Sequence, residues 1–466
     1  MAIAVEEQRK VYTPAPFQVE DLRTLRQWRD SANYSEMGCY KSTTGLWWAL
    51  ENCPGRILII TTRTGKTPYF EIVPSVVSSE YGFFNVTATE CPDVSTLPAF
   101  CIVLAHYNCF TNHARFRDAL QSVYWDGVIL DEAHRIKNRK GQWTKNIKKL
   151  RRGKSHIMTG TGFVNKPDEI WSLLHFLSPQ RFSAYWKFRQ RYCLEKEIPG
   201  KNVSVVIGIK PENEAEFRRV VNSVGVRRLK REVLKDLPDT YETVIPVDLN
   251  TIQRRMYKEI RNELETLDRQ GELISSPNVL SQLARLRQIC VATPEVVSRE
   301  YDSKQERFVQ KIRLVEPSSK LDALCEIIEG TDSKVIVFSN FTHPLELARI
   351  RFDRMGIRYE HMRVSDSDEE RAVRVRRFQS DEGPQAFLST IPLGGEAITL
   401  TAASTVIFLD RSWSPAANNQ AISRAHRPGQ KNAVQIIRIE ARSTVDSYVN
   451  LRLTQKQGWF AQVFST

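Results

Sequence analysis

Two adjacent carboxylates, Asp131 and Glu132, directly follow the apolar run Val128-Ile129-Leu130. Such a run is typical of a buried parallel strand, and α/β sheets bind their ligands at the carboxyl ends of these strands. There, one carboxylate can hold Mg²⁺ and its neighbour can polarise a water molecule. The tetrapeptide Asp-Glu-Ala-His also occurs by chance on solvated helices, but the strand that precedes it here favours the Walker B arrangement of an ATPase.

A Walker B acid pair requires a phosphate-binding loop upstream, and two lysines are candidates. Lys66 follows a predicted strand in Thr64-Gly65-Lys66-Thr67, but Ile60 stands where the P-loop pattern requires its first glycine. Lys41 enters a predicted helix whose N-terminal amides can face phosphate. We favour Lys41 as the lysine that reaches the phosphates and Ser42 as a Mg²⁺ ligand, and Lys66 remains the alternative.

The loop around Lys41 departs from the usual pattern at Tyr40, which occupies the place where a glycine normally precedes the lysine. A side chain there crowds the loop and disfavours the backbone dihedrals that glycine adopts. The sequence therefore leaves open whether the site is degenerate. The residues of this loop that we expect to contact the nucleotide are Gly38, Cys39, Tyr40, Lys41, Ser42 and Thr43.

The length and charge of the chain limit the classes of protein to consider. Its 466 residues are too many for one core and suit two domains with a connector. It carries 67 Lys and Arg against 54 Asp and Glu, a net charge of +13, which favours a polyanionic partner. Every charged residue from Arg135 to Lys154 is basic. We interpret this segment as part of a nucleic-acid track, with a solubilising surface as the alternative.

Signals for membranes, secretion and zinc are missing from the sequence. No apolar run approaches the roughly 20 residues needed to span a bilayer. The first residues lack the pattern of a secretory signal. The 8 cysteines form no C-x-x-C pair, which disfavours zinc and a disulfide framework. We therefore expect a soluble, cytoplasmic protein without membrane association. We also expect a monomer.

Buried strand patterns recur in both halves of the chain with helical stretches between them, which predicts parallel sheets. Between residues 180 and 315, charged helical patterns dominate and strand signal is weak. We predict an α/β fold of two doubly wound parallel-sheet lobes, residues 1–180 and 316–466, joined by a mostly helical connector, residues 181–315. The predicted strands are 57–60, 101–104, 128–130, 156–158, 335–338, 386–388, 405–409 and 434–437.

Two arginines of the second lobe, Arg424 and Arg427, lie three residues apart in a predicted helix and would share one face. A guanidinium is always charged and can neutralise charge that develops on a transferring phosphoryl group. A surface helix with salt bridges is the alternative. The Gly394-Gly395 turn nearby in the sequence makes that alternative less attractive.

Together, these segments resemble the Swi/Snf-type branch of superfamily-two helicase-like ATPases over nearly the whole chain. The most specific match is the segment 420–430, which fits the family's Q-A-x-x-R-x-H-R-x-G-Q at every fixed position. Residues 226–238 resemble its R-R-x-K-x-x-V-x-x-x-L-P. Other segments that resemble family motifs are 17–18 (the glutamine motif), 35–42 (D-E-M-G-L-G-K-T), 57–63, 158–162 (L-T-G-T-P, with Gly162 in place of proline), 286–290, 319–321 and 393–403.

The resemblance implies ATP and Mg²⁺ as cofactors, bound in a cleft between two RecA-like lobes. Gln18 would recognise adenine, and Gly395 would lie at the nucleotide. The residues that would carry out hydrolysis are Lys41, Ser42, Asp131 and Glu132 from the first lobe and Arg424 and Arg427 from the second.

The resemblance also implies contacts with a nucleic-acid backbone, which carry no sequence code and weaken steeply with salt. Turn capping is the alternative role for the hydroxyl residues, and core packing is the alternative for Trp413. The residues that we expect at this interface are Thr61, Thr62, Arg63, Tyr107, Ser339, Asn340, Ser389, Thr390 and Trp413.

Three functions remain open at this stage. The favoured one is an ATP-dependent translocase on double-stranded DNA. The second is a strand-separating or branch-remodelling helicase that acts on DNA or RNA. The third is a nucleic-acid-binding protein with a degenerate ATPase site, motivated by Tyr40 and Gly162. Because no chromatin-reading or finger module is apparent, we expect a compact bacterial or viral member of the family.

Overall fold

The computed structural model describes residues 12–87, 89–160, 166–197, 204–269, 277–302, 307–394 and 398–464. The chain divides into two compact units, one formed by residues 1–235 with 456–466 and the other by residues 236–455. The boundary between the units falls inside the segment that the sequence suggests as a connector. The division into three parts at residues 180 and 315 therefore stays a prediction.

The first unit contains nine strands, nine α-helices and five short 3₁₀ segments among its described residues. The strands are β1 Ser31–Asn33, β2 Arg56–Thr61, β3 Gly82–Asn85, β4 Cys101–His106, β5 Tyr124–Asp131, β6 Arg151–Met158, β7 Cys193–Glu197, β8 Ser204–Ile209 and β9 Gly225–Val226. The helices are α1 Pro16–Leu25, α2 Lys41–Asn52, α3 Thr67–Val76, α4 Ala114–Ser122, α5 Gln142–Ile147, α6 Ile170–Leu177, α7 Tyr185–Tyr192, α8 Glu214–Asn222 and α9 Lys230–Val233. The 3₁₀ segments are Thr64–Lys66, Tyr107–Phe110, Ala133–Ile136, Pro167–Glu169 and Pro211–Asn213.

Seven of these strands form one parallel sheet in the order β3-β4-β2-β5-β6-β1-β9. The central strands are apolar on both faces, as expected for strands covered by helices on each side. Helix α2 lies so close to β6 that a Cβ on Gly45 would collide with the sulfur of Met158. All four strands predicted in this half are confirmed, whereas the short strands β1, β3 and β9 have no comparable apolar run.

The second unit has eight strands and eight α-helices among its described residues, counting α17, whose residues from 456 onward are assigned to the first unit. The strands are β10 Thr240–Val247, β11 Thr293–Asp302, β12 Arg307–Val315, β13 Lys334–Ser339, β14 Tyr359–His361, β15 Ala386–Thr390, β16 Ala403–Phe408 and β17 Val434–Ala441. The helices are α10 Thr251–Arg269, α11 Pro277–Val291, α12 Ser319–Glu329, α13 Thr342–Met355, α14 Asp368–Gln379, α15 Ile391–Gly394, α16 Pro415–Ile422 and α17 Val445–Phe464.

Six strands of the second unit form another parallel sheet, in the order β10-β17-β16-β13-β15-β14. Its central strands β13, β15 and β16 are almost completely buried. The α/β fold with two parallel-sheet lobes is therefore confirmed.

The segment from residue 181 to 315 contains more strand than its sequence suggests. Strands β7 and β8 form one antiparallel hairpin, and β11 and β12 form a longer one. Strand β10 is an edge strand of the second sheet, and most of its residues are exposed. The expectation of little strand here is wrong, because edge and hairpin strands carry charged residues and lack the continuous apolar run of a central strand.

Two buried ion pairs tie helices α11 and α12 to the remainder of the second unit. The guanidinium of Arg287 lies 3.0 Å from the carboxylate of Asp410, directly beyond β16. The ammonium of Lys320 lies 2.6 Å from the carboxylate of Asp446 in α17. All four side chains are less than 10% exposed. Each buried charge has its partner in a distant part of the sequence, so loss of either partner would leave an uncompensated charge in the interior.

Among the residues that the structure describes, no helix is long and apolar enough to cross a membrane. In the same residues, no cluster of three or more His, Cys, Asp or Glu side chains could hold a metal ion. The cysteines are free thiols, and all except Cys91 are buried.

Candidate functional site

The loop between β1 and α2 has the backbone shape of a phosphate-binding loop at two positions. Gly38 has a φ of 86°, which glycine adopts at no steric cost. Tyr40, directly before the helix, has φ 51° and ψ 33°, in the left-handed region. Any residue other than glycine is strained in this backbone conformation by roughly 1–2 kcal/mol. The sequence-based concern about Tyr40 therefore has a structural basis.

Lys41 is the first residue of α2, and its ammonium stays at the loop. Its Nζ donates a hydrogen bond to the backbone carbonyl of Glu36, 2.8 Å away. Cys39 is buried with its thiol toward the carbonyl of Arg228, and Thr43 is buried in the first turn of the helix. The sequence-predicted loop residues thus form one continuous turn around the helix N-terminus, where backbone amides and a lysine can meet an anion.

We expect the variant Tyr40→Gly to raise the free energy of unfolding by roughly 1 kcal/mol, because glycine adopts this left-handed conformation without the strain that Tyr40 carries. Urea titration measures this change. Ser443→Gly is a matched comparison in the second unit and should show a gain of similar size, because Ser443 also has a positive φ, of 56°. An unchanged or lower free energy of unfolding in Tyr40→Gly would show that Tyr40 is not strained.

The segment 226–230 forms hydrogen bonds with the phosphate loop and with α1. The backbone amide of Arg228 donates to Ser35 Oγ at 3.0 Å, and the amide of Glu36 donates to the carbonyl of Arg228 at 2.9 Å. The guanidinium of Arg228 binds Asp21 and Glu20 in α1 at 2.8 and 2.7 Å. Sequence reasoning had not assigned this role to Arg228, although the resemblance of 226–238 to a family motif was a signal that it matters.

Gln18 is buried beside the same loop. Its side-chain carbonyl accepts a hydrogen bond from the amide of Ala15 at 3.0 Å, which caps α1. Its Nε2 donates to Thr44 Oγ1 at 3.0 Å, and that hydroxyl donates to the carbonyl of Tyr40 at 3.1 Å. Gln18 is thus connected to the phosphate loop through Thr44, and its recognition of adenine stays a prediction.

Asp131 ends β5 and meets the first turn of α2. Its Oδ2 lies 3.4 Å from Ser42 Oγ. Burial and the neighbouring carboxylate of Glu132 raise the pKa of Asp131, and the ammonium of Lys41 opposes that shift. Carboxylate and hydroxyl oxygens are the ligands that Mg²⁺ prefers, and adjacent ligands of an octahedral Mg²⁺ lie about 3 Å apart. The oxygens of Ser42 and Asp131 therefore fit the predicted metal site.

Glu132 follows with a left-handed backbone, φ 53°, which turns its side chain away from the strand direction. One carboxylate oxygen of Glu132 lies 3.2 Å from Nδ1 of His134. The same imidazole nitrogen lies 3.5 Å from Thr159 Oγ1, at the end of β6. The two acids therefore differ in environment, with Asp131 against Ser42 and Glu132 against an imidazole.

Lys66, the alternative phosphate lysine, has a structural role instead. Its ammonium is buried and donates hydrogen bonds to Asn85 Oδ1, at 2.9 Å, and to the carbonyl of Val86. Burial lowers the pKa of Lys66 to about 8. These contacts at the end of β3 favour Lys41 as the lysine of the phosphate loop.

The depressed pKa of Lys66 predicts a pH-dependent stability. The folded state binds this proton more weakly than the unfolded state, so the resulting penalty is complete below about pH 8 and disappears above the unfolded pKa. Relative to Lys66→Met, the wild-type free energy of unfolding should rise by about 2 kcal/mol between about pH 7.5 and about pH 10. Urea titrations at both pH values measure this difference. A difference that stays constant with pH would contradict the buried ammonium.

The residues of the first unit that we expect at a nucleic acid separate into two groups. Thr61 and Tyr107 are buried, and both hydroxyls bind Asp131: Thr61 Oγ1 lies 3.3 Å from its Oδ2, and the Tyr107 hydroxyl lies 2.7 Å from its carbonyl. Because they are buried and hydrogen-bonded to Asp131, these two hydroxyls do not contact DNA in this conformation. Thr62 is half-buried, and Arg63 is exposed. Arg63 is therefore the member of this group best placed for a phosphate.

The basic segment 135–154 is only partly a surface track. The guanidinium of Arg152 lies 4.0 Å from the ring of Phe176, and that of Arg139 lies 4.1 Å from the ring of Tyr185. Burial lowers the pKa of Lys148 to about 8. Part of this charge therefore packs on aromatic rings. The exposed basic residues of the segment are Arg135, Arg139, Lys140, Lys145, Lys149 and Arg151.

In the second unit, Arg424 and Arg427 lie in consecutive turns beyond the end of α16, which stops at Ile422. The prediction that they share a helix is wrong, because Pro428 disfavours helix at the residue before it and Gly429 has a φ of 97°. The carbonyl of Arg424 accepts from the amide of Leu400 at 2.9 Å. Arg427 Nη1 donates to the carbonyl of Ile398 at 3.2 Å.

Two neighbours of these arginines hold the same turns in place. Gln430 Nε2 donates to the carbonyls of Thr401, Ala403 and Ala425 at 2.8 to 3.2 Å. His426 Nε2 lies 2.8 Å from the carbonyl of Pro238, which belongs to the segment that resembles the family motif. Arg424 and Arg427 therefore belong to a loop that several side-chain hydrogen bonds hold in place. Gly395, predicted at the nucleotide, lies outside the described residues.

The residues of the second unit that we expect at a nucleic acid are mostly buried. Ser339 and Ser389 are fully buried, and Thr390 is 7% exposed. Ser339 Oγ donates to Asp410, and the amide of Asn340 donates to the same carboxylate at 3.0 Å. The hydroxyls of Ser339 and Ser389 are therefore inaccessible to DNA in this conformation. The side chain of Asn340 is half-buried.

Trp413 is half-buried and packs in the apolar cluster around α10, α11 and α17. Its ring meets that of Tyr448 edge-on, with 6.1 Å between centroids, and lies 5.5 Å from the guanidinium of Arg287. Core packing, the alternative reading of Trp413, is therefore favoured.

Comparison with protein families identifies two matching models. Residues 82–294 match the SNF2-related domain, and residues 319–429 match the helicase conserved C-terminal domain. The first match begins beyond the phosphate loop, so the roles of Lys41 and Ser42 are not part of it.

Curated relatives share the same region. A zebrafish (Danio rerio) chromodomain-helicase-DNA-binding protein 1-like is 31% identical over 77% of this chain, and the Arabidopsis thaliana CHD3-type chromatin-remodeling factor PICKLE is 28% identical over 72%. The chain spans only 33% and 24% of these two relatives. Among solved structures, the Sulfolobus solfataricus SWI2/SNF2 ATPase core in complex with dsDNA is 23% identical and covers 99% of this chain and 95% of its own, with a TM-score of 0.43. With both family models in their expected order, the chain belongs to the Snf2-type branch of superfamily-two helicase-like ATPases, a family of ATP-hydrolysing enzymes.

Proposed function

We propose that this protein is an ATP-dependent motor that translocates on double-stranded DNA without obligatory strand separation. The observation that carries the proposal is the meeting of four side chains in the first unit. Lys41 heads α2 at the phosphate loop, Ser42 Oγ lies 3.4 Å from Asp131, and Glu132 stands next to that carboxylate. This set supplies the phosphate-binding, metal-binding and water-orienting groups that phosphoryl transfer from ATP uses.

The residues of the first unit would divide the chemistry among them. Ser42 and Asp131 would hold Mg²⁺, which when bound helps neutralise the charge of the phosphates. The ammonium of Lys41 would exchange the carbonyl of Glu36 for a phosphate oxygen. Glu132, with the imidazole of His134 3.2 Å from its carboxylate, would orient the attacking water and accept its proton.

Arg424 and Arg427 would supply positive charge to the transition state. Their loop is anchored by hydrogen bonds to Ile398, Leu400 and Pro238. An arginine held in this way loses little further freedom when it engages a phosphate.

Double-stranded DNA is proposed as the partner from charge and from relatives. The net charge of +13 favours a polyanion, and Arg63 and the exposed basic residues between 135 and 151 could contact phosphates. The zebrafish relative carries helicase and DNA binding in its name. Contacts of this kind are salt-dependent and carry no sequence code, as a translocating motor requires.

Phosphate release tests the proposal when it is measured with duplex DNA, single-stranded DNA, RNA and no nucleic acid. We expect the duplex to stimulate hydrolysis most, and Glu132→Gln to abolish hydrolysis while nucleotide binding persists. Displacement of a third strand from a triplex, without separation of the duplex, then distinguishes a translocase from a strand-separating helicase.

A nucleic-acid-binding protein with a degenerate ATPase is the second candidate, favoured by the left-handed Tyr40 in the phosphate loop. It predicts DNA binding without phosphate release under any condition. If the wild-type protein releases no phosphate with any nucleic acid, the motor proposal fails and this candidate replaces it.

A further inference from the structure

One oxygen of the proposed magnesium carboxylate accepts hydrogen bonds from three hydroxyl groups. Asp131 Oδ2 lies 3.4 Å from Ser42 Oγ, 3.3 Å from Thr61 Oγ1 and 3.2 Å from the hydroxyl of Tyr69. These donors come from three different elements, α2, β2 and α3. Ser42 is itself a proposed metal ligand, and the Tyr69 hydroxyl also hydrogen-bonds Ser42, so Tyr69 contacts both proposed ligands.

Tyr69 reaches the carboxylate from inside an apolar cluster. Its ring is fully buried among side chains that include Leu46, Ile59 and Leu104. A buried phenol normally finds a polar partner, and here that partner is the charged group of the active site. A phenylalanine could fill the same apolar space, so packing does not explain the hydroxyl.

Thr61 and Tyr69 flank one short segment, residues 62–68, which includes the first two residues of α3 and which we call the 62–68 loop. Arg63, the exposed residue proposed to contact DNA, lies inside it. The loop is closed tightly over Thr61, because a Cβ on Gly65 would collide with the hydroxyls of Thr61 and Thr62. Lys66 fixes its far side through Asn85 and Val86. A shift of this loop therefore acts on both hydroxyls that hold Asp131.

We propose that Tyr69 is a positioning residue for the magnesium–nucleotide site, and that the 62–68 loop transmits nucleic-acid binding to Asp131 through Thr61 and Tyr69. The inference rests on the proposed function, because it concerns the same ATP site and the same DNA contact. The hydroxyls of Thr61 and Tyr69 hold the carboxylate of Asp131 in the position that binds the metal. DNA bound at Arg63 shifts the 62–68 loop and thereby changes the strength of these two hydrogen bonds. Since coupling between binding sites is reciprocal, nucleotide must change the affinity for DNA by the same factor.

The variant Tyr69→Phe tests the positioning role, because it removes one hydroxyl and keeps the ring. We expect its dissociation constant for fluorescent ADP in the presence of Mg²⁺ to rise about fivefold to tenfold, the effect of losing a hydrogen bond to a charged group. In EDTA the dissociation constant should stay within about twofold of wild type, since the hydroxyl acts through the metal carboxylate. An equal change with and without Mg²⁺, or no change, overturns the assignment.

Tyr192→Phe is the matched control. Tyr192 is also buried, and its hydroxyl also donates to a carboxylate, that of Glu216, at 2.8 Å. We expect this variant to lose comparable stability in urea and to bind ADP as wild type does with and without Mg²⁺. Thr61→Val, which removes the hydroxyl at the other end of the loop, should shift the Mg²⁺-dependent affinity in the same direction as Tyr69→Phe. If Thr61→Val leaves that affinity unchanged, the loop does not act through both ends.

The coupling is measured by repeating the ADP titrations with saturating duplex DNA. In wild type, duplex should change the Mg²⁺-dependent affinity at least about fivefold, within the usual range of coupling between sites. In Tyr69→Phe this factor should fall at least about threefold toward one, while duplex affinity without nucleotide is retained. A wild-type factor of one, or an unchanged factor in the variant, overturns the coupling. Absence of DNA-stimulated hydrolysis would refute the motor proposal instead, and the titrations without DNA would still report on Tyr69.

Discussion

The variant Lys41→Ala is expected to hydrolyse ATP at least about 100-fold to 1000-fold more slowly than wild type, the loss typical for one preorganised group that stabilises transition-state charge. Lys41 stands at the start of α2 with its ammonium on the carbonyl of Glu36, where a phosphate oxygen can replace that carbonyl. Steady-state phosphate release, with and without duplex DNA, measures the effect. The unfolding midpoint should fall slightly, because the buried carboxylate of Asp131 loses the nearby ammonium, so activity is assayed below that midpoint.

Lys66→Met is the control for this experiment, since it removes a lysine from the other candidate sequence. Lys66 binds Asn85 and Val86, away from the phosphate loop. It should lose at most about tenfold of the hydrolysis rate when assayed below its unfolding midpoint, because Lys66 acts on Asp131 only through the 62–68 loop. If Lys66→Met loses as much activity as Lys41→Ala, the assignment of the two lysines must be reversed.

Arg427→Ala is expected to lower kcat by about 1000-fold, while its affinity for nucleotide stays within a few-fold of wild type. The reason is that an arginine acting on a transferring phosphoryl group interacts chiefly with charge that exists only in the transition state. Single-turnover hydrolysis and nucleotide titration together separate the two quantities.

The control for Arg427→Ala is Arg442→Ala in the same unit. Arg442 is exposed and pairs with Asp248 at 3.2 Å, so its removal should leave kcat unchanged. A variant Arg427→Ala that weakens nucleotide binding and keeps kcat would assign Arg427 to ground-state binding, contrary to our proposal.

The sheets could be predicted because their central strands are buried on both faces. Segments such as 57–60 and 335–338 are uninterrupted apolar runs, and these coincide with β2 and β13. Strand β10 was not predicted, because an edge strand with exposed residues has no such run. The Asp131–Ser42 contact could also be anticipated, since both residues belong to motifs with a defined place at the carboxyl edge of a sheet.

Other parts of the site depend on tertiary contacts that no local pattern encodes. The sequence around Tyr69 has the pattern of an apolar helix and gives no sign of a polar role. Only the packing of α3 brings its hydroxyl to Asp131. Thr61 and Ser339 are the last residues of β2 and β13, where the resemblance implied DNA contacts, but the fold turns both hydroxyls inward to carboxylates. Spacing placed Arg424 and Arg427 on a helix, whereas the proline and glycine that follow end it.

The buried pairs Arg287–Asp410 and Lys320–Asp446 limit how this protein can be recombined with its relatives. Each pair joins the segment around α11 and α12 to the segment that follows β16. A hybrid that takes only one of these segments from a relative with a neutral residue at the matching position would leave a lone charge in the interior, at a cost of about 3–5 kcal/mol. Crossover points for chimeric motors must therefore keep residues 287–320 and 410–446 from the same parent.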